Sequence, residues 1–148
     1  MMKNMIRTDK EQYFFGSVLL LANKLQVWGD GKIPGPTFKQ LFLLLFIKEM
    51  ENKNPTVKEI SDFTGTSRQN VKKMLERLEA TGFVSLTRSK TDSRAWSVAL
   101  TAKSFEFFAE NEKKSTEIVS EMFASISDEE LDAALQTMGK LFAFLDAI

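Results

Sequence analysis

Ile60-Ser61-Asp62-Phe63-Thr64-Gly65-Thr66-Ser67 closes one helical pattern and opens another. Gly65 suits the left-handed residue that ends a helix. Thr66, with Gln69 three positions on, has the form of a capping box, in which side chains satisfy the free amides of a helix start. A short helix, a tight turn containing glycine and a second helix make a helix-turn-helix. The second helix is expected from about Ser67 to Ala80, with Val71, Met74, Leu75 and Leu78 on one face.

The opposite face and flanks of that helix carry Thr66, Ser67, Arg68, Gln69, Asn70, Lys72 and Lys73. These side chains can serve a DNA major groove. Arg and Lys match guanine, Asn and Gln match adenine, and hydroxyls and cations match phosphate. A polar helix face by itself more often meets only water. The next segment favours the first reading. After Gly82, residues 83–88 and 95–100 read as strands, with Trp96, Val98 and Leu100 alternating onto one side. Between them, Ser89-Lys90-Thr91-Asp92-Ser93-Arg94 is a polar tip. A hairpin directly after a reading helix is a wing, and an arginine at its tip suits a narrow, electronegative minor groove.

Here the chain resembles the MarR family of bacterial transcriptional regulators. Asp92-x-Arg94, then five residues, then Leu100-Thr101 is similar to that family's wing signature. Leu75-x-x-Leu78-Glu79-x-x-Gly82-Phe83-Val84 resembles the end of its recognition helix and the start of its wing. The resemblance implies DNA contacts from Thr66 to Lys73, a DNA-contacting arginine at Arg94 and a tip-holding aspartate at Asp92. It also implies a two-fold dimer held by N- and C-terminal helices. A small, often anionic aromatic effector would then bind between dimer scaffold and winged module, where Trp28, Phe38 and Phe42 are the candidate lining. One departure is Ser104, where a glycine often follows the lysine. Another is the Gly-rich segment from Trp28 to Pro36.

The expected architecture is mainly α (α+β): a winged helix-turn-helix over residues 36–101, an N-terminal helix and loop over 1–35, and C-terminal dimerisation helices over 102–148. Residues 1–7 read as a loose start. From Thr8, the run Tyr13, Phe14, Val18, Leu21, Leu25 and Trp28, widened by Leu19 and Leu20, makes a helix apolar enough that both sides should meet protein. Gly29 to Pro36 is a loop, and Pro36 fits the first turn of the next helix, about 36–51. That helix carries Phe38, Leu41, Phe42, Leu44, Leu45 and Phe46 and reads as central core. Thr56 with Glu59 caps the first reading-unit helix, whose buried face is Val57, Ile60 and Phe63. A helix from Thr101, with a break near Asn111, and another capped by Ser127 and Glu130 complete the chain. The run Asp128-Glu129-Glu130 is better explained by capping than by metal or acid-base chemistry.

The 148 residues carry no net charge, but the charge is uneven. From Thr56 to Lys103, nine cations face five anions, leaving +4 there and −4 elsewhere. A basic reading unit on an acidic scaffold fits a protein that touches DNA by one surface. Lys72, Lys73, Arg88 and Lys90 are assigned mainly to phosphate. There is no Cys and no His. Disulfides, thiol redox sensing, imidazole or thiolate metal sites and the usual nucleophile–base pairs are therefore absent. No cofactor or metal is expected, and the chain is read as a non-enzyme. No apolar run fits a secretory leader or a membrane span, so a soluble, cytoplasmic protein without membrane attachment is expected. Its expected role is a homodimeric transcriptional regulator, a repressor relieved by a small ligand, that reads pseudo-palindromic double-stranded DNA. The competing role is a winged-helix protein-interaction module without DNA readout, to which Glu76 and Glu79 on the reading helix lend some support.

Overall fold

The computed structural model describes residues 4–148. Of the expected loose start, Met1 to Lys3 lie outside the described residues. The elements in order are α1 (Arg7–Gly29), α2 (Phe38–Glu49), α3 (Val57–Thr64), α4 (Arg68–Ala80), β1 (Val84–Arg88), β2 (Trp96–Leu100), α5 (Ala102–Phe123) and α6 (Asp128–Asp146). They fall into two compact units that divide between Glu110 and Asn111.

The first unit is built around the apolar stripes of the helix-turn-helix. Val71, Leu75 and Leu78 of α4 are buried with Ile60 of α3, Leu43, Leu44 and Ile47 of α2, and Phe83, Val84 and Val98 of the wing. Each fully buried aliphatic side chain of this kind stabilises the fold by roughly 1.5–3 kcal/mol relative to exposure. The two strands pair antiparallel, with Val84 opposite Leu100 and Arg88 opposite Trp96. A third contact was not visible in the sequence. Thr56 bridges Ser97, and the Val98 N–H donates to the Pro55 carbonyl at 2.9 Å, so the start of α3 closes onto the wing.

The junction between wing and α5 is pinned by hydroxyls. Thr101 Oγ1 donates to the carbonyls of Gly82 and Phe83, and the buried Ser104 Oγ donates to the Phe83 carbonyl at 2.5 Å. Ser104, the departure from the wing signature, is thus a hydrogen-bonded core residue for which glycine has no equivalent.

Several local expectations are corrected. The cap of α4 is Ser67, whose Oγ accepts the Asn70 N–H, rather than Thr66 with Gln69. Thr66 stays in the turn, where its carbonyl takes the Ser61 hydroxyl at 2.6 Å. The cap of α2 is Thr37 in a full box with Gln40, which leaves Pro36 outside the helix. Phe63 is exposed, because α3 is only 8 residues long and its last turn projects past the core. Its ring meets Phe46, which in turn meets Phe42. On α2 the buried face is Leu43, Leu44 and Ile47, while Phe42 and Phe46 are exposed. No break occurs near Asn111: α5 runs unbroken for 22 residues.

On α1, Tyr13, Phe14, Phe15, Val18, Leu19, Leu20, Leu21 and Val27 are exposed in the single chain, so the expected protein on both sides is not supplied by this copy. In the second unit, the capping box of Ser127 with Glu130 forms as expected. Leu135, Met138, Leu141, Phe142, Phe144 and Leu145 of α6 are likewise exposed.

Candidate nucleic-acid interface

The turn that aims α4 is fixed by backbone geometry. Gly65 takes φ 65°, which a side chain would strain, and so ends α3 and starts the turn in two residues. Thr64 Oγ1 donates to the Ile60 carbonyl at 2.8 Å, and Ser61 braces Thr66 across the turn. The first turns of α4 therefore leave the unit at a set angle. Their outward residues Ser67, Arg68, Gln69, Asn70, Lys72 and Lys73 are all exposed, and Thr66 is half-buried.

Electrostatically this face is open. Among the described residues, the ion pairs of the reading unit are Lys58–Asp62 at 2.5 Å and Lys72–Glu76 at 3.8 Å, both between exposed side chains. Such pairs contribute about 0–1 kcal/mol and exchange readily for a stronger anion. Arg68, Lys73, Lys90 and Arg94 have no carboxylate partner among the described residues. The two acidic residues of α4 that favour a protein-interaction role are both occupied within the unit. Glu76 accompanies Lys72, and Glu79 accepts the Leu86 N–H at 2.7 Å, tying α4 to β1.

The wing tip is a folded turn. Asp92 accepts the Arg94 N–H on its carboxylate at 2.9 Å, and its carbonyl accepts the Ala95 N–H at 2.9 Å. Ser89 is buried, and its Oγ accepts the N–H groups of Thr91 and Asp92. The Arg94 side chain is exposed at this tip. Arg88 is differently placed from Lys90. Its guanidinium carbon lies 4.1 Å from the centroid of the Trp96 ring, and Nη1 donates to the Arg94 carbonyl at 3.3 Å. The pairing of Arg88 with Trp96 was not seen in the sequence. It follows from the register that sets them directly opposite each other.

At the start of α3, the Glu59 carboxylate accepts the Thr56 N–H at 2.7 Å and the Thr56 hydroxyl at 3.0 Å. These bonds, chiefly the backbone one, hold its pKa below the ordinary carboxylate value.

Of the candidate effector-lining residues, Phe38 and Phe42 meet with tilted rings whose centroids are 4.7 Å apart, and Lys32 lies over Trp28 at 5.1 Å. Phe38 also fills the space beside Gly29, where an added Cβ would fall 2.1 Å from its ring. A surface groove of about 520 Å³ lies elsewhere in the same unit and includes none of the three. Pro36, Gln40, Phe83 and Phe107 line it, with Arg77 and Lys103 as its cations. Phe83 and Phe107 meet edge to face at 5.4 Å, and Lys103 reaches the Thr81 carbonyl and the Phe83 ring. Among the described residues no group of three or more acidic side chains is disposed to hold a metal ion. No described helix is long and apolar enough to cross a membrane.

Residues 35–95 match the model of the MarR family. The chain is 28% identical over 103 residues to the transcriptional repressor MprA of Escherichia coli (strain K12), a match covering 70% of this chain and 58% of that relative's length. Among solved structures, the transcriptional regulator BldR from Sulfolobus solfataricus superposes with a TM-score of 0.81 at 16% identity, covering 94% of this chain and 99% of that one. Sco3205, a MarR family transcriptional regulator from Streptomyces coelicolor solved in complex with DNA, superposes with a TM-score of 0.77 at 19% identity, covering 92% and 91%. At these identities the structural likeness shows the fold: helices around a two-stranded wing.

Proposed function

We propose that this chain, whose residues 35–95 match the MarR family model, is a homodimeric transcriptional repressor that reads a pseudo-palindromic DNA site. The observation that carries the reading is the set of exposed cations at the start of α4 and at the wing tip: Arg68, Lys73, Lys90 and Arg94 have no carboxylate partner among the described residues. Arg68, Gln69 and Asn70 enter the major groove, where their donors and acceptors match base edges. Ser67, Thr66, Lys72, Lys73 and Lys90 contact sugar and phosphate, and Arg94 reaches the flanking minor groove. Asp92 acts through the Arg94 N–H by holding the tip.

Two copies are needed for a palindrome, with reading helices one helical turn, about 34 Å, apart. The exposed apolar faces of α1 and α6 support this, since single soluble chains rarely leave contiguous apolar surface of such extent uncovered. The repressor role rests on the likeness to MprA and on simple occlusion of a promoter. For relief by a ligand, the groove beside Arg77 and Lys103 supports a small anionic aromatic effector. It is lined by Phe83 and Phe107 with Arg77 and Lys103 as cations, and Trp28, Phe38 and Phe42 are not among its lining residues.

Selection of binders from a random duplex pool tests the reading. Enrichment of an inverted repeat with half-site centres about 10 base pairs apart is expected. Failure to enrich any sequence, with a folded dimer in hand, would leave the protein-interaction role.

A further inference from the structure

We infer that Arg88 and Trp96 form a latch that sets the position of Arg94, so that Arg88 is a positioning residue of the wing rather than a phosphate contact; this rests on the DNA-reading function proposed above. The geometry has three parts. Arg88 and Trp96 are register partners on β1 and β2, at the last pair before the tip. The guanidinium lies over the indole at 4.1 Å. The same guanidinium donates through Nη1 to the Arg94 carbonyl at 3.3 Å.

A planar guanidinium can stack on a ring and direct an in-plane N–H at the same time, which an ammonium cannot. The stack therefore aims the donor, and the donor fixes the Arg94 peptide from the carbonyl side. Asp92 fixes the amide of Arg94 from the other side through its own carboxylate. The backbone that presents the Arg94 side chain is thus held at both ends. Lys73 and Lys90 have no comparable engagement and remain available to phosphate.

The test is a set of duplex-binding titrations over a salt series with Arg88→Lys, Arg88→Met, Trp96→Leu and Trp96→Phe, each alone and combined with Arg94→Ala. A latch requires that Arg88→Lys and Trp96→Leu each weaken binding about two- to fivefold, the scale of an exposed cation–π contact. It requires that neither weakens binding further once Arg94 is alanine. Trp96→Phe, which keeps a ring, should bind more tightly than Trp96→Leu. A phosphate contact behaves otherwise. Arg88→Lys would then match the parent, Arg88→Met would lower the salt slope by about 0.9 per protomer, and its loss would add to that of Arg94→Ala. That pattern overturns the latch.

Amide hydrogen exchange on the free protein separates this question from DNA binding. The Ser89, Arg94 and Ala95 amides should exchange faster in Arg88→Lys and Trp96→Leu; unchanged exchange also overturns the latch. If the parent binds no duplex, the proposed function fails, and the exchange result alone decides whether the latch exists.

Discussion

The Glu79 carboxylate accepts the backbone N–H of Leu86 at 2.7 Å, so the last turn of the reading helix is bonded to the middle of the first wing strand. Glu79 is exposed and Leu86 only half-buried, yet the bond spans two elements that must keep a fixed angle if both are to engage one duplex. A carboxylate in this place is a brace between reading helix and wing, and it does not oppose a DNA-binding role for the face on the other side of α4.

Glu79→Ala should lower stability by about 1 kcal/mol, the usual net worth of such a bond. It should also weaken specific DNA binding more than Glu76→Ala. Thermal melts and duplex titrations of the two variants make the comparison. Equal behaviour would mean that the brace contributes nothing beyond surface charge.

Glycine positions separate strain from crowding. At Gly65, φ is 65° and an added Cβ meets nothing within 4 Å, so Gly65→Ala carries only the left-handed backbone cost of about 1–2 kcal/mol. At Gly29, the same methyl would fall 2.1 Å from the Phe38 ring. Gly29→Ala should therefore cost about 1–3 kcal/mol by displacing the ring. Gly29→Ala together with Phe38→Leu should recover part of that loss, whereas no side-chain change nearby should rescue Gly65→Ala. Urea melts of these variants settle both points.

Acid should loosen the start of α3. Glu59 has its pKa depressed by the Thr56 N–H, then by the Thr56 hydroxyl and Asn52. A depressed folded-state pKa means that its stabilisation is complete above the ordinary glutamate value, about 4.3. It is lost as pH falls through the lower folded-state value. Thr56→Ala should cost about 1 kcal/mol at neutral pH. Glu59→Gln should flatten the acid limb of stability below about pH 4.3, read from denaturant midpoints across pH. An acid limb identical in parent and Glu59→Gln would contradict the assignment.

The apolar faces of α1 and α6 predict a concentration-dependent Tm. Leu141→Glu with Leu145→Glu should shift sedimentation towards monomer and remove that dependence. The winged unit should keep its helical signal, because its core from Leu43 to Val98 includes neither residue. Loss of all structure would instead mean that the chain folds only as a dimer.

Much of the fold was legible because local signals agreed. Gly65, Gly82, the box of Thr56 with Glu59 and the periodic Val71, Leu75 and Leu78 each state their own role, and each is found in it. The cap of α4 slipped by one residue because Thr66 and Ser67 both have capping chemistry. The bonds that hold Thr66 in the turn, from the Ser61 hydroxyl to its carbonyl and from its own N–H to Thr64 Oγ1, come from the packed structure. Phe63 was misjudged because periodicity gives the side of a helix but not where the core ends. The expected break near Asn111 is absent because α5 continues through a polar stretch that a largely exposed helix tolerates. At the candidate site, the polar face of α4 and the tip residues Asp92 and Arg94 were visible as residue types. The stack of Arg88 on Trp96 and the bond from Glu79 to Leu86 were not, because both depend on strand register and helix–strand packing.

Sequence-specific DNA reading through Arg94 is tested most directly by fluorescence anisotropy of an enriched duplex against a random duplex, across a salt series, for the parent and Arg94→Ala. Tighter binding to the enriched duplex is expected, with an affinity that falls steeply with salt and a loss of roughly 1–3 kcal/mol in Arg94→Ala that appears mainly on the enriched duplex. Equal affinity for both duplexes, or no change in Arg94→Ala, would contradict it.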